Sequence, residues 1–132
     1  MSGVFLDSNI VLYLLAADPG KADTAEALLA QQPTISVQVL NEVTSVCQRK
    51  LTMPWAEIQE ILTAVKASCT VVPLTVETHA KAVQIAQRYQ LSVYDAHILS
   101  AALACTAHTL MSEDMHSGLV VQGLKIRNPF MG

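Results

Sequence analysis

The sequence has little charge, few aromatic residues and no long hydrophobic run. Charged residues make up 14% of the 132 positions, aromatic residues make up 5%, and the net charge is −3. This balance argues against a broad basic surface for nucleic acid, although it leaves room for a local one. The longest apolar run, Ile10–Ala17, has eight residues, whereas a helix that crosses a bilayer needs roughly 20. We therefore expect no membrane-spanning segment.

Cysteine is also scarce, and the three cysteines exclude two common uses of this residue. Cys47, Cys69 and Cys105 are odd in number, lie within apolar segments and form no CxxC spacing. We therefore expect reduced thiols rather than disulfides or zinc ligands. The amino terminus also lacks the basic segment and the cleavage site of a signal peptide, so a cytoplasmic protein is expected.

Hydrophobic residues are abundant by contrast, at 52% of the chain. This fraction is high for a soluble monomer, and we expect part of the surface to be covered by a partner or by a second copy of the chain. The length is that of a single domain over residues 1–132, long enough to bury a hydrophobic core.

Short apolar strands and amphipathic helices alternate along the chain. The predicted strands contain the letters VFL, TIS, CTVVPL, HTLM and LKIR, and helical periodicity occupies most of the intervals between them. Such alternation predicts an α/β protein, in which a parallel sheet carries helices on both faces. The first helix is expected to continue to about Ala16, and another is expected to open at Pro54.

Three aspartates occupy positions where strands end or helices begin. Asp7 follows the VFL strand, Asp114 follows the HTLM strand, and Asp95 lies near the start of the preceding helix. Each position has a simple structural explanation. Asp7 and Ser112 can act as caps, and Ser92 with an acid three residues later is a capping-box pattern. Taken singly, none of these aspartates indicates a function.

Glu42 is not explained by capping. It lies about six residues beyond Ser36, the expected cap of its helix, and therefore too deep in the helix to satisfy free amides. Val39 and Val46 are its neighbours on an apolar stripe. A carboxylate at the border of a core-facing stripe is unfavourable unless it is paired, metal-bound or solvated at the edge.

Topology predicts that these four acids meet. In a parallel sheet, right-handed crossovers bring the carboxyl ends of all strands to one edge, where ligands bind. Asp7 and Asp114 follow strands at this edge, and Glu42 lies in a helix that leaves it. The helix that contains Asp95 must descend to reach the HTLM strand, so its beginning lies at the same edge. Capping alone does not require this convergence.

Four neighbouring carboxylates favour a particular chemistry. Like charges raise one another's pKa, and a hard divalent cation such as Mg²⁺ or Mn²⁺ relieves the repulsion through oxygen ligands. Cations held in this way can activate water and neutralise the charge that develops on a phosphodiester. The pattern therefore predicts a metal-dependent nuclease.

Other polar residues are expected to have structural roles. Arg49 and Lys50 stand at the end of a predicted helix, where basic residues complement the helix dipole more often than they bind phosphate. His97 lies two residues after Asp95 and therefore points away from it on a helix.

Four segments carry a resemblance to a known family, and they contain the four acids in order. The segments are FLDSNI, SVQVLNEV, SVYDAHILSAAL and LMSEDMHSG. They resemble the acidic motifs of PIN-domain ribonucleases, and the whole chain is similar to the toxins of bacterial VapBC toxin–antitoxin pairs. The resemblance implies a three-layer α/β/α fold with a five-stranded parallel sheet. It also implies endoribonuclease activity with Mg²⁺ or Mn²⁺, an RNA substrate, a homodimer and a cognate VapB-type antitoxin.

The resemblance can be carried over position by position. The family's acids match Asp7, Glu42, Asp95 and Asp114. Asn9 and Ser112 match polar companions that orient a carboxylate or a water. Glu113 makes the fourth motif ambiguous, and Asp114 is preferred because the family places this acid two residues after Ser or Thr. Ser8 and Ser112 stand where the commonest family members have Thr.

Two functions follow as expectations. The first is hydrolysis of RNA by in-line attack of water, leaving a 5′-phosphate and a 3′-hydroxyl. Asp7, Asp95 and Asp114 would then ligate metal, and Glu42 would bind metal or align the water. The alternative is a non-catalytic PIN-like module that binds RNA or a protein. The presence of all four acids argues against this alternative, because a non-cutting descendant does not need to keep their mutual repulsion.

Overall fold

The chain folds as a mixed α/β structure in which short strands alternate with helices. A computed structural model describes residues 3–131. The strands are β1 (Val4–Leu6), β2 (Thr34–Ser36), β3 (Thr70–Val72), β4 (Thr109–Met111), β5 (Val120–Val121) and β6 (Leu124–Arg127). The helices are α1 (Ser8–Leu12), α2 (Pro19–Ala30), α3 (Val37–Arg49), α4 (Trp55–Ser68), α5 (Val76–Tyr89) and α6 (Val93–Ala104).

The strands form one sheet in the order β3-β2-β1-β4-β6-β5. The pairs β1–β2, β2–β3, β1–β4 and β4–β6 are parallel, which confirms the predicted parallel sheet. β2 and β3 follow one another outwards on one side of β1, and β4 lies on the other side of β1, followed by β6 and β5. The junction of β1 and β4 is therefore the switch point of the sheet, where open α/β sheets bind ligands at the carboxyl edge.

The sixth strand was not predicted. β5 pairs antiparallel with β6, with Val121 opposite Leu124. The two residues between them, Gln122 and Gly123, have φ of 50° and 88°, the left-handed values that a tight type I′ hairpin turn requires. Five strands are parallel as expected, and the short hairpin adds one more at the edge. A strand of two residues is too short for alternation to be recognised in the sequence.

Polar residues cap the helices that start near the carboxyl edge. Asp7 is the N-cap of α1, Ser36 Oγ accepts a hydrogen bond from Val39 N, and Ser92 Oγ accepts one from Asp95 N. The predicted caps are confirmed. The first helix is shorter than expected, because α1 ends at Leu12 and the next three residues form a 3-10 turn.

The core lies on both faces of the central strands. Phe5, Ile35, Leu110 and Ile126 from four parallel strands are fully buried, and burial of such side chains contributes roughly 1.5–3 kcal/mol each. The predicted apolar stripe of α3 contributes the buried residues Val39, Val43 and Cys47 to the core, whereas Val46 is only half-buried. The stripe thus borders a less buried face of α3 that contains Glu42 and Val46.

Two further expectations concern cysteines and membranes. Within residues 3–131 the three cysteines form no disulfide, as expected, and burial raises the pKa of the Cys69 thiol to about 11. No helix in the described range is long and apolar enough to cross a bilayer.

Candidate active site

Asp7 is buried at the switch point of the sheet. Its amide donates a hydrogen bond to Met111 O at 3.0 Å, which extends the pairing of β1 and β4 by one residue. Its side chain is only 2% exposed. Oδ1 accepts a hydrogen bond from Ser8 N at 2.7 Å, and Oδ2 accepts bonds from Ser112 Oγ at 2.7 Å and Asn9 Nδ2 at 3.2 Å. The carboxylate is therefore held from both sides of the switch point.

This position is electrostatically unfavourable for a carboxylate. Burial raises the pKa of Asp7 to about 6, the hydrogen bonds from Ser112 and Ser8 oppose the rise, and the negative charges of Glu42 and Asp95 add to it. Hydrogen bonds that favour the ionised form thus fail to compensate for desolvation and like charge. A positive charge close to this group would reverse the balance.

Glu42 lies beside Asp7 and is held by two side chains. Ser8 Oγ donates a 2.6 Å hydrogen bond to Oε1, and Gln38 Nε2 donates a 2.8 Å bond to Oε2 from one turn earlier in α3. Ser8 therefore joins the two acids, because its amide binds Asp7 and its hydroxyl binds Glu42. Neither the bridge through Ser8 nor the contact of Gln38 was predicted from the sequence. The spacing of four residues between Gln38 and Glu42 was a usable signal.

Asp95 and Asp114 face the same region. Asp95 lies in the first turn of α6, and its pKa is raised by partial burial, then by the charge of Glu42, then by that of Asp114. Asp7 also experiences the charges of Glu42 and Asp95. The four acids are therefore connected by repulsion between neighbouring pairs. The structure thus brings together all four residues that the sequence singled out. Their roles as ligands or catalysts remain predictions.

A cleft of about 350 Å³ lies beside this cluster and has two of its four acids in the wall. It is lined by Ser8, Asn9, Leu12, Glu42, Ser45, Val46, Lys50 and Asp114. Glu42 and Asp114 reach the open cleft directly, whereas the buried Asp7 adjoins it through Ser8 and Asn9. Lys50 was expected only to complement the dipole of α3, and its position in the cleft wall was not predicted from the sequence.

Glu113 turns away from the cleft, although it is adjacent to Asp114 in the sequence. Its side chain accepts hydrogen bonds from the Tyr13 hydroxyl and from Lys21 Nζ, the latter at 2.9 Å. These two partners lower the pKa of Glu113. Its amide donates to Asn9 Oδ1 at 3.1 Å, which links this loop to the residue beside Asp7. Of the two neighbouring acids, Asp114 alone lines the cleft.

His97 belongs to the packing between two helices. Its Nε2 lies 2.9 Å from Thr78 Oγ1 on α5, and burial followed by the neighbouring His79 lowers its pKa. The expectation that His97 does not face the acids agrees with this contact.

The ligand atoms that the cluster offers are of the type that a hard divalent cation prefers. Every acid of the cluster offers carboxylate oxygen, the ligand that Mg²⁺ and Mn²⁺ prefer, and the pKa values of Asp7 and Asp95 are raised first by burial and then by the negative charges of neighbouring acids. Among residues 3–131, no three His, Cys, Asp or Glu side chains are already arranged as a metal-binding group. The cluster is a set of neighbouring carboxylates rather than a preformed coordination shell.

The fold and the site together define an α/β protein with an acidic cleft at the switch point of a parallel sheet. A comparison with protein families matches residues 4–115 to the PIN domain. The chain belongs to the PIN domain family. A comparison of the sequence with curated proteins gives no match.

Solved structures with the same fold include a toxin–antitoxin complex and a toxin. A toxin–antitoxin complex from Klebsiella pneumoniae has a TM-score of 0.73 at 19% identity, covering 96% of this chain and 98% of that chain. VapBC2 from Rickettsia felis, bound to a promoter DNA fragment, has a TM-score of 0.70 at 20% identity, covering 95% and 97%. VapC20 from Mycobacterium tuberculosis, a toxin that cleaves the Sarcin-Ricin loop, has a TM-score of 0.65 at 19% identity, covering 84% and 89%. At these identities the likeness shows the fold.

Proposed function

We propose that this chain is a VapC-type endoribonuclease that hydrolyses RNA phosphodiester bonds with Mg²⁺ or Mn²⁺. The observation that carries the proposal is the buried Asp7, with a pKa raised to about 6, next to Glu42 and Asp95 in a PIN-domain chain. Asp7 caps α1, but capping does not require Glu42 and Asp95 beside it, and the repulsion between these acids destabilises the fold. Strained or destabilised groups of this kind are typical of functional sites.

The chain's own residues would prepare the site for the cation. Ser8, Asn9 and Ser112 hold Asp7, and Ser8 with Gln38 holds Glu42. Asp7, Asp95 and Asp114 would bind the cation, and Glu42 would either bind it or align the attacking water. When bound, a divalent cation supplies charge neutralisation at the phosphodiester and makes water easier to deprotonate.

The expected reaction is in-line displacement at phosphorus by water. Attack from the side opposite the 3′-oxygen breaks the bond between phosphorus and that oxygen, so the products carry a 5′-phosphate and a 3′-hydroxyl. The acids of the cleft fit this chemistry, because no described His or Lys is paired with a nucleophile there. Products that end in a 2′,3′-cyclic phosphate would contradict it, since they require attack by the ribose hydroxyl.

The proposal includes a VapB-type antitoxin and a homodimer. The toxin–antitoxin complexes with the same fold support the antitoxin. An apolar groove of about 400 Å³ between α2 and α4, with Leu14, Leu29, Ile61 and Val65 in its wall, offers one surface for it. Exposed apolar side chains such as Trp55, 56% exposed, supply further surface for a second copy. Light scattering of the isolated chain tests the dimer, and a monomer at high concentration would contradict it.

The activity is tested by incubating purified protein with total RNA. Wild type is expected to cleave RNA with Mg²⁺ or Mn²⁺ and to lose cleavage in EDTA, and Asp7→Asn is expected to be inactive under all three conditions. Asp23→Asn, which removes an exposed acid of α2, is the matched control and should cleave as wild type does. Equal cleavage by wild type and Asp7→Asn would identify a contaminating nuclease and refute the assignment. RNA binding without cleavage would support the non-catalytic alternative.

A further inference from the structure

Lys50 shares one face of α3 with the acidic cleft. It caps the carboxyl end of this helix, and it lines the cleft together with Glu42, Ser45 and Val46. Glu42, Val46 and Lys50 are each four positions apart, which places them in a row along one side of a helix. Arg49, the adjacent basic residue at the same helix end, is exposed and does not line the cleft.

Among residues 3–131, Lys50 is the only basic residue in the cleft wall. Two acids line the same cleft, yet the one ion pair within residues 3–131 joins Lys21 to Glu113. Lys50 is therefore not engaged by either acid, and its ammonium is exposed to solvent. A lysine that only interacted with the helix dipole would not need to line the cleft. Arg49 interacts with the same dipole and does not line it.

We propose that Lys50 contacts a backbone phosphate of the RNA, next to the phosphodiester that is cleaved. The inference rests on the proposed nuclease function. Eight residues separate Glu42 from Lys50, which corresponds to about 12 Å along a helix. Lys50 is therefore expected to contact a phosphate next to the one that is cleaved at the acids, rather than the same phosphate. The lysine offsets part of the repulsion between RNA and a chain of net charge −3.

The test compares Lys50→Gln with Arg49→Gln. Both substitutions remove one positive charge from the end of α3, so both lose the same interaction with the helix dipole. We expect Lys50→Gln to raise KM for a single-stranded RNA by about three- to tenfold with kcat nearly unchanged, because an exposed phosphate contact contributes to binding alone. Lys50→Arg should restore KM, and Arg49→Gln should behave as wild type.

A binding measurement separates this inference from the nuclease proposal. In an Asp7→Asn background the RNA stays intact, and the affinity of a fluorescein-labelled single strand can be titrated at several salt concentrations. Lys50→Gln is expected to reduce the slope of log K against log salt by about 0.7, the share of one phosphate contact on a single strand. Arg49→Gln should leave this slope unchanged.

Two outcomes would overturn the assignment of Lys50. Equal losses in the Lys50→Gln and Arg49→Gln variants would mean that only the general charge of the helix end matters. A fall in kcat with KM unchanged would place Lys50 in the chemical step instead. If wild type cleaves no RNA, the nuclease proposal fails, and the binding comparison still decides whether Lys50 contacts phosphate.

Discussion

Replacing the buried acid Asp7 by Asn is expected to stabilise the protein in the absence of metal. The pKa of Asp7 rises from 3.8 to about 6 on folding, and at about 1.36 kcal/mol per unit this corresponds to about 3 kcal/mol of destabilisation at neutral pH. The side chain is 2% exposed, so solvent screening removes little of this figure. The Asn side chain has an NH₂ group in place of one carboxylate oxygen. This donor faces the donor of Ser8, Ser112 or Asn9, and the lost hydrogen bond costs about 1 kcal/mol. The net gain is about 2 kcal/mol.

The pH dependence of this gain has a definite sign. Because the pKa of Asp7 is higher in the folded than in the unfolded state, the folded state holds the proton more tightly. The penalty is absent well below pH 3.8, grows as pH rises to about 6, and is complete above that value. At about pH 4.5 roughly 2 kcal/mol of the penalty has disappeared. Asp7→Asn and wild type should then be about equally stable.

The assay is urea denaturation in EDTA, followed by circular dichroism at about pH 7.5 and about pH 4.5. Asp23→Asn removes an exposed carboxylate from α2 and should change the free energy of unfolding little at either pH. A less stable Asp7→Asn protein at neutral pH, or a gain that persists unchanged at low pH, would refute the electrostatic account of the site. The first result would mean that the hydrogen bonds of Asp7 outweigh its desolvation, and the second would mean that the gain does not come from removing an ionised group.

Two further predictions concern the loop that follows β4. Asp114→Asn should abolish RNA cleavage, whereas Glu113→Gln should keep more than about a tenth of the initial rate, because Glu113 binds Tyr13 and Lys21 instead of lining the cleft. The reverse order of activities would identify Glu113 as the functional acid. Ser112→Ala removes a 2.7 Å hydrogen bond to the Asp7 carboxylate and should lower the free energy of unfolding by about 1–2 kcal/mol in urea titrations at neutral pH. An unchanged midpoint would show that Ser112 does not support the ionised form of Asp7.

The alternation of strands and helices was predictable because each element carries its own local signal. The cap at Ser36 places Glu42 too deep in α3 for capping, and the apolar stripe borders it. These two local signals indicated that the carboxylate needs a partner. The rule that parallel strands end at one edge then related Glu42 to Asp7, which is 35 residues away in the sequence.

Most of the missed features depend on contacts between distant segments or on very short elements. Ser8 bridges Asp7 and Glu42, a contact across 34 positions that no local pattern records. Glu113 is occupied by Lys21, which is 92 positions away. Lys50 carried a usable signal, since extending the face of Glu42 by two turns reaches it. The β5–β6 hairpin was marked only by Gly123 in a turn of two residues.

If the dispersed acids form one cation site, the protein should bind Mn²⁺ through them. Electron paramagnetic resonance of free Mn²⁺, titrated with protein at about neutral pH, is expected to show saturable binding to wild type, because carboxylate oxygens are ligands that Mn²⁺ prefers. Asp7→Asn should lose this binding, and Asp23→Asn should keep it. Identical Mn²⁺ binding by wild type and Asp7→Asn would contradict the claim.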